Sequence, residues 1–281
     1  MNLGDIINFS DYDRLLPLVT NSLIAGALLA LIGGLVGVFV MNRELSFAVH
    51  GIAELSFAGA AIALLIGFDV VFGSIFGSLI AAGIIAFLGD RAKDRNSIVA
   101  VLMPFGLGLG ILALSLYPGR AANKFGLLTG QIVAVDDPKL FSMFGIAALV
   151  VVSMLLIWRP LSFASLDPEV AMARGVPVRA LSIGFVMLLG LAVAAAVQVV
   201  GALLVLALLV TPAAAALRLS TSQLWVPILS VAFAAVSMLG GIFLALGSSL
   251  PISPYVTTIS FTIYLIARVV AYFKTKLAVT K

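Results

Sequence analysis

Residues 180–217 read ALSIGFVMLLGLAVAAAVQVVGALLVLALLVTPAAAAL, a run of 38 residues without a charge, bounded by Arg179 and Arg218. As one helix, at about 1.5 Å per residue, it would be about 57 Å long, nearly twice a hydrocarbon core of about 30 Å. The run must therefore fold back. The reversal is expected at Gln198–Gly201, where a polar side chain and a permissive glycine interrupt it.

The rest of the chain repeats the pattern on a shorter scale. Of 281 residues, 63% are hydrophobic and 10% charged, against about 25% charged in a soluble domain. Mean hydropathy is +1.25. So few charges cannot cover such a core in water, and the surplus apolar surface must face lipid. Nine candidate spans result: 17–41, 46–66, 70–88, 97–117, 139–158, 180–199, 200–217, 224–246 and 255–273. The expected fold is an all-α, polytopic membrane helix bundle of about nine transmembrane helices, eight being possible, forming one domain over residues 17–273. Residues 1–16, with Asp5, Asp11 and Asp13 and no basic opening, are expected to form an external or interfacial lead-in rather than a signal peptide. Residues 274–281 are expected to form a cytoplasmic tail.

Orientation follows from Lys and Arg. With the N-terminus outside, Arg43, Arg91, Lys93, Arg95, Arg159, Arg174, Arg179, Arg218, Arg268, Lys274, Lys276 and Lys281 all fall inside. Only Arg14, Arg120, Lys124 and Lys139 fall outside, so the C-terminus is expected in the cytoplasm. This asymmetry accounts for the net charge of +4 and removes the need for a nucleic-acid partner. The chain has one His, no Cys and no Gly-Lys-Ser/Thr phosphate loop. Thiolate metal sites, thiol catalysis and nucleotide hydrolysis by that loop are excluded, and energy must come from a partner or a gradient.

Ionisable groups inside spans are costly and are functional candidates by default. His50 and Glu54 lie four residues apart and so share one face of the second span. Imidazole and carboxylate suit Zn²⁺, Mn²⁺ or Fe²⁺, although one helix supplies only two ligands and a second copy would be needed for four. The same spacing also suits a hydrogen-bonded pair that stabilises the bundle, or a proton relay. In the loop 159–177, Asp167 before Pro168 and Glu169 reads as a helix opening, and Gly175 as its close. The short helix near 167–175 is either a connector or a docking knob for a cytoplasmic partner. Thr211-Pro212 marks a kink or a hinge, as Gly201 does upstream. The pairs Gly33/Gly37, Gly73/Gly77 and Gly106/Gly110 are each spaced to let neighbouring backbones approach.

Three blocks together resemble the permease subunit of the bacterial metal-ion ABC importers, which take up zinc, manganese or iron(II). They are residues 37–47, continuing to Ala58-Gly59-Ala60; Leu166 to Ala171 with Gly175-Val176; and Val200 to Ala216, which contains Pro212-Ala213-Ala214. The resemblance implies a homodimer, two cytoplasmic ABC ATPase subunits that bind the ATP, and an extracytoplasmic metal-binding protein. It makes the 167–175 helix a coupling helix, with Asp167, Glu169, Ala171 and Gly175 toward the ATPase. In that family an Asp and a His four apart on the second span form a metal site on the pathway. His50 and Glu54 hold both donor types in reversed order, and no permanently bound cofactor is implied. The competing expectations are a siderophore or cobalamin ABC permease and a gradient-driven secondary transporter.

Overall fold

A computed structural model describes residues 16–89, 92–119, 135–248 and 252–279. The lead-in before residue 16, and residues 120–134 of a segment whose re-entrance the sequence leaves open, lie outside the described residues. The regular elements are all helices. A 3₁₀ turn at Leu16–Val19 leads into α1 (Thr20–Asn42), followed by α2 (Ser46–Ile66), α3 (Val70–Leu88), α4 (Ala92–Leu116) and α5 (Asp137–Leu166). The six-residue α6 (Pro168–Ala173) precedes α7 (Val178–Val200). A 3₁₀ turn at Ala202–Leu204 then leads to α8 (Val205–Leu209), α9 (Thr211–Leu219), α10 (Trp225–Leu246) and α11 (Ile252–Val279).

Among the described residues, eight helices are long and apolar enough to cross a membrane: α1 with its leading turn, α2, α3, α4, α5, α7, α10 and α11. Large apolar side chains such as Phe141, Leu156 and Ile66 stand exposed along them, as lipid contact requires. The chain is a multi-pass membrane protein.

The segment 200–217 departs from the nine-span expectation. The helix α7 ends at Val200, and Gly201 adopts φ 78° and ψ 161°, a region essentially restricted to glycine. The helix thus breaks at the end of the segment where the sequence shows an interruption. Beyond it lie a 3₁₀ turn and one short apolar helix, Val205–Leu219, too short at about 1.5 Å per residue to cross the membrane. It is interrupted at Val210, where Pro212, in the first turn of α9, has no N–H for the Leu208 carbonyl. Pro212 therefore lies at an interruption of a short helix rather than within a full span.

The packing divides the chain into two compact units. One comprises Met1–Met41, Ile132–Leu140 and Leu206–Lys281. Within it α9, α10 and α11 pack together, and α1 approaches the α8–α9 break. A Cβ on Gly37 would lie 2.0 Å from the Leu209 carbonyl oxygen, and one on Gly33 3.3 Å from that of Leu208.

The other unit comprises Asn42–Gln131 and Phe141–Val205. At its centre α2 packs against α3 and α4, and α7 lies on α3 and α2. A three-residue turn joins α2 to α3: Gly67 closes α2 at φ 73°, and Asp69 Oδ1 caps α3 by accepting from Val71 and Phe72 N–H. Glycines set the spacing here too. A Cβ on Gly77 would stand 2.1 Å from the Leu55 carbonyl oxygen, and one on Gly59 2.2 Å from that of Gly73. Gly106 and Gly110 of α4 meet the side chains of Leu55 and Phe57. All three glycine pairs serve close helix packing inside one subunit. Replacing Gly77 by Ala must push α2 from α3, with an expected loss of about 1–3 kcal/mol. Thermal unfolding in detergent measures it, with Gly83→Ala as the control, because nothing lies within 4 Å of a Cβ there.

Candidate functional site

The helix α2 is enclosed along most of its length, whereas α11 is largely exposed. Polar groups on such a helix need partners. Ser56 has them: its hydroxyl pairs with the Ser74 hydroxyl of α3 at 2.7 Å, and Ser74 Oγ donates to the Ala194 carbonyl of α7 at 3.4 Å. This chain of bonds ties three helices together.

His50 and Glu54 behave differently. They share one face of α2 as the spacing predicts, with His50 Nε2 3.8 Å from Glu54 Oε1, beyond hydrogen-bonding distance. The Glu54 side chain is 3% exposed and that of His50 27%, so the pair opens on its His50 side. His50 Nδ1 and Glu54 Oε2 are both buried without a hydrogen-bond partner among the described residues. The geometry therefore does not supply the mutual hydrogen bond that a purely stabilising pair would need. The helix α4 closes one side of α2 here, since a Cβ on Gly106 would lie 3.0 Å from the Glu54 carbonyl carbon. Among the described residues no group of three or more His, Cys, Asp and Glu side chains is gathered, so one copy offers only this pair.

A third polar residue was legible only as a turn marker. Gln198, in the last turn of α7, is buried, and both ends of its amide lack a partner among the described residues. In a chain seen alone, its position next to a reversal gives no sign of this burial.

The helix α6 takes the form that its sequence predicts. Asp167 Oδ1 accepts from the Glu169 and Val170 N–H groups at 3.1 and 3.0 Å, and Pro168 occupies the first turn, where no N–H is missed. At the other end the Gly175 N–H donates to the Met172 carbonyl and that of Val176 to the Ala171 carbonyl, with Gly175 at φ 79°. These two bonds make a Schellman motif, which stops the helix after less than two turns. Ala171 corrects an expectation. Its side chain is fully buried in its own chain, so it seats the helix and does not face outward. Glu169 is exposed, and the apolar side chains Val170 and Met172 stand 45% and 57% exposed. These two, which sequence reading passed over, form the outward face with Glu169. The His50–Glu54 pair and the residues of α6 thus occupy separate elements, and Gly201 and Pro212 sit at two breaks of the chain.

With these features in place, the chain can be set beside known proteins. A family model described as the ABC 3 transport family matches residues 16–271. The manganese transport system membrane protein MntC of Halalkalibacterium halodurans is 29% identical over 235 residues, covering 83% of this chain and 80% of that protein. The manganese import system permease protein ScaB of Streptococcus parasanguinis is 26% identical over 267 residues, covering 95% of each. Among solved structures, a chain of PsaBC from Streptococcus pneumoniae in complex with Fab matches with a TM-score of 0.81 at 26% identity, covering 91% of this chain and 94% of that one. With the family model running from the first described residue almost to the end, this multi-pass membrane chain belongs to the ABC 3 transport family, the metal-ion ABC importer permeases that its sequence resembles.

Proposed function

We propose that this chain conducts a divalent transition-metal cation, manganese first, as the membrane permease of an ATP-driven importer. The observation that carries the proposal is the His50–Glu54 pair, whose Nδ1 and Oε2 atoms are buried without a hydrogen-bond partner among the described residues, on one face of an enclosed membrane helix. Such groups are costly unless something satisfies them, and a travelling cation would do so. Imidazole nitrogen with carboxylate oxygen suits manganese, iron(II) and zinc. The two manganese transport relatives support manganese among the three.

A second copy of the chain across a two-fold axis would bring a second His50–Glu54 pair, completing four donors. The excess of Lys and Arg at the α6 end supports a cytoplasmic position for α6, where two ATPase subunits would bind Glu169, Val170 and Met172. Closure of the ATPases on ATP then rocks the two copies between outward- and inward-open states. Gly201 and the Pro212 bend are the positions where the chain yields. A binding protein outside the membrane delivers the cation.

The same pair suits a proton relay in a gradient-driven transporter, and a permease for a metal chelate would need no such pair. Reconstitution of the chain with its ATPase and binding protein in proteoliposomes separates these readings. The expected result is accumulation of free Mn²⁺ that ATP raises about tenfold or more. Uptake driven by a pH gradient without ATP would replace this reading by the relay. Uptake of a chelate in preference to the free ion would replace it by the siderophore-type permease.

A further inference from the structure

Arg43 lies in the short turn between the end of α1 and the start of α2, and its guanidinium reaches both flanks of α6. Nη1 donates to the Ser165 hydroxyl at 3.2 Å, two residues before the Asp167 cap, and Nη2 donates to the Ser182 hydroxyl in the second turn of α7. Ser165 is itself held, its hydroxyl donating to the Leu161 carbonyl at 2.7 Å. From the other side Arg95 of α4 donates through Nη2 to the Arg43 carbonyl at 3.2 Å and to the Glu44 carbonyl at 3.5 Å. The turn is therefore bonded to α4, α5 and α7, and it runs directly into the helix that carries His50 and Glu54.

The backbone of this turn is strained. Glu44 has φ 55°, the one non-glycine residue with positive φ among the described residues. Such conformations persist only where surrounding contacts over-determine them, and they gather at switch regions. Among the contacts here are those of the two arginines. Arginine also suits this position because its planar fork presents separate N–H groups to two acceptors at once, whereas a lysine ammonium is a point charge on a flexible stem. A half-buried guanidinium bonded to two hydroxyls must follow them when they move, because losing either leaves a desolvated charge without its acceptor.

We propose that Arg43 is the positioning residue that transmits displacement of α6 to the His50–Glu54 helix. Movement of α6 carries Ser165 and Ser182 on its two flanks; Arg43 follows both, and the turn passes the motion to α2, where His50 lies in the second turn. The inference rests on the reading of α6 as the ATPase contact. It adds to that reading a defined route from the contact to the metal pair within one compact unit.

The test uses the complete complex in proteoliposomes, with Mn²⁺ as the probe, and reads ATPase co-purification, ATP hydrolysis and Mn²⁺ moved per ATP. Arg43→Ala is expected to leave co-purification and basal hydrolysis intact while Mn²⁺ per ATP falls about tenfold or more. Arg43→Lys should fall between this variant and the wild type. Because removing a half-buried arginine can also unfold the turn, the pair Ser165→Ala with Ser182→Ala is measured beside it. That pair keeps Arg43 and is expected to uncouple transport in the same way. Wild-type Mn²⁺ per ATP in Arg43→Ala, or in the serine pair, overturns the inference alone. A wild-type complex that moves no Mn²⁺ in response to ATP overturns the importer reading, and this inference with it.

Discussion

Replacing His50 or Glu54 by alanine is expected to lower ATP-dependent Mn²⁺ uptake by at least about 100-fold, since even indirect support of a metal ligand carries effects of about 10- to 100-fold. The complex should still assemble. Neither His50 Nδ1 nor Glu54 Oε2 bonds to any described residue, and the two side chains stand 3.8 Å apart, so alanine breaks no hydrogen bond that holds the bundle. Thermal unfolding in detergent therefore separates two roles. If the pair stabilised the fold, losing one partner would cost about 1–3 kcal/mol, the usual penalty for orphaning a buried polar group. If the pair serves a passing cation, both groups are already orphaned, and stability should change little. Unimpaired uptake in either variant would remove that residue from the route. Exchange of the two, His50→Glu with Glu54→His, keeps both donor types on the same face and should restore uptake in part.

The second large effect belongs to α6. Substituting Val170→Lys together with Met172→Lys is expected to weaken ATPase binding by about 30-fold or more, the loss typical of an interface hot spot of about 2 kcal/mol. Pull-down of the ATPase with the tagged chain measures it, and undiminished co-purification would exclude this face as the contact. These residues carry the large exposed apolar side chains of the short helix, at 45% and 57% exposure. Glu169→Lys tests the polar edge of the same face. Ala171→Lys is a different experiment: Ala171 is fully buried, so lysine there would lift α6 off its own chain, and a lost ATPase would then report local unfolding rather than contact.

Much of this protein can be read from its residues in order, because in a membrane local chemistry is unusually decisive. Lipid offers no hydrogen bonds, so an apolar run of about 20 residues must be helical and must span. Seven of the nine proposed segments, besides 180–199, match long helices for that reason. Gly201 ends α7 because its conformation admits only glycine. Asp167, Pro168 and Gly175 delimit α6 because caps act over three or four residues. His50 and Glu54 share a face because helical periodicity requires it.

Only the tertiary structure decided the remainder, and the physical cause is the same throughout: burial and pairing depend on what a neighbouring helix supplies. It reduced residues 200–217 to a short, interrupted helix, turned Ala171 inward and brought Val170 and Met172 out. It left Gln198 buried without a partner among the described residues, while giving Ser56 one that leads across two other helices. It also joined Arg43 to Ser165 and Ser182, residues more than a hundred positions away, a relation set by how the helices fold together and by nothing within the turn itself.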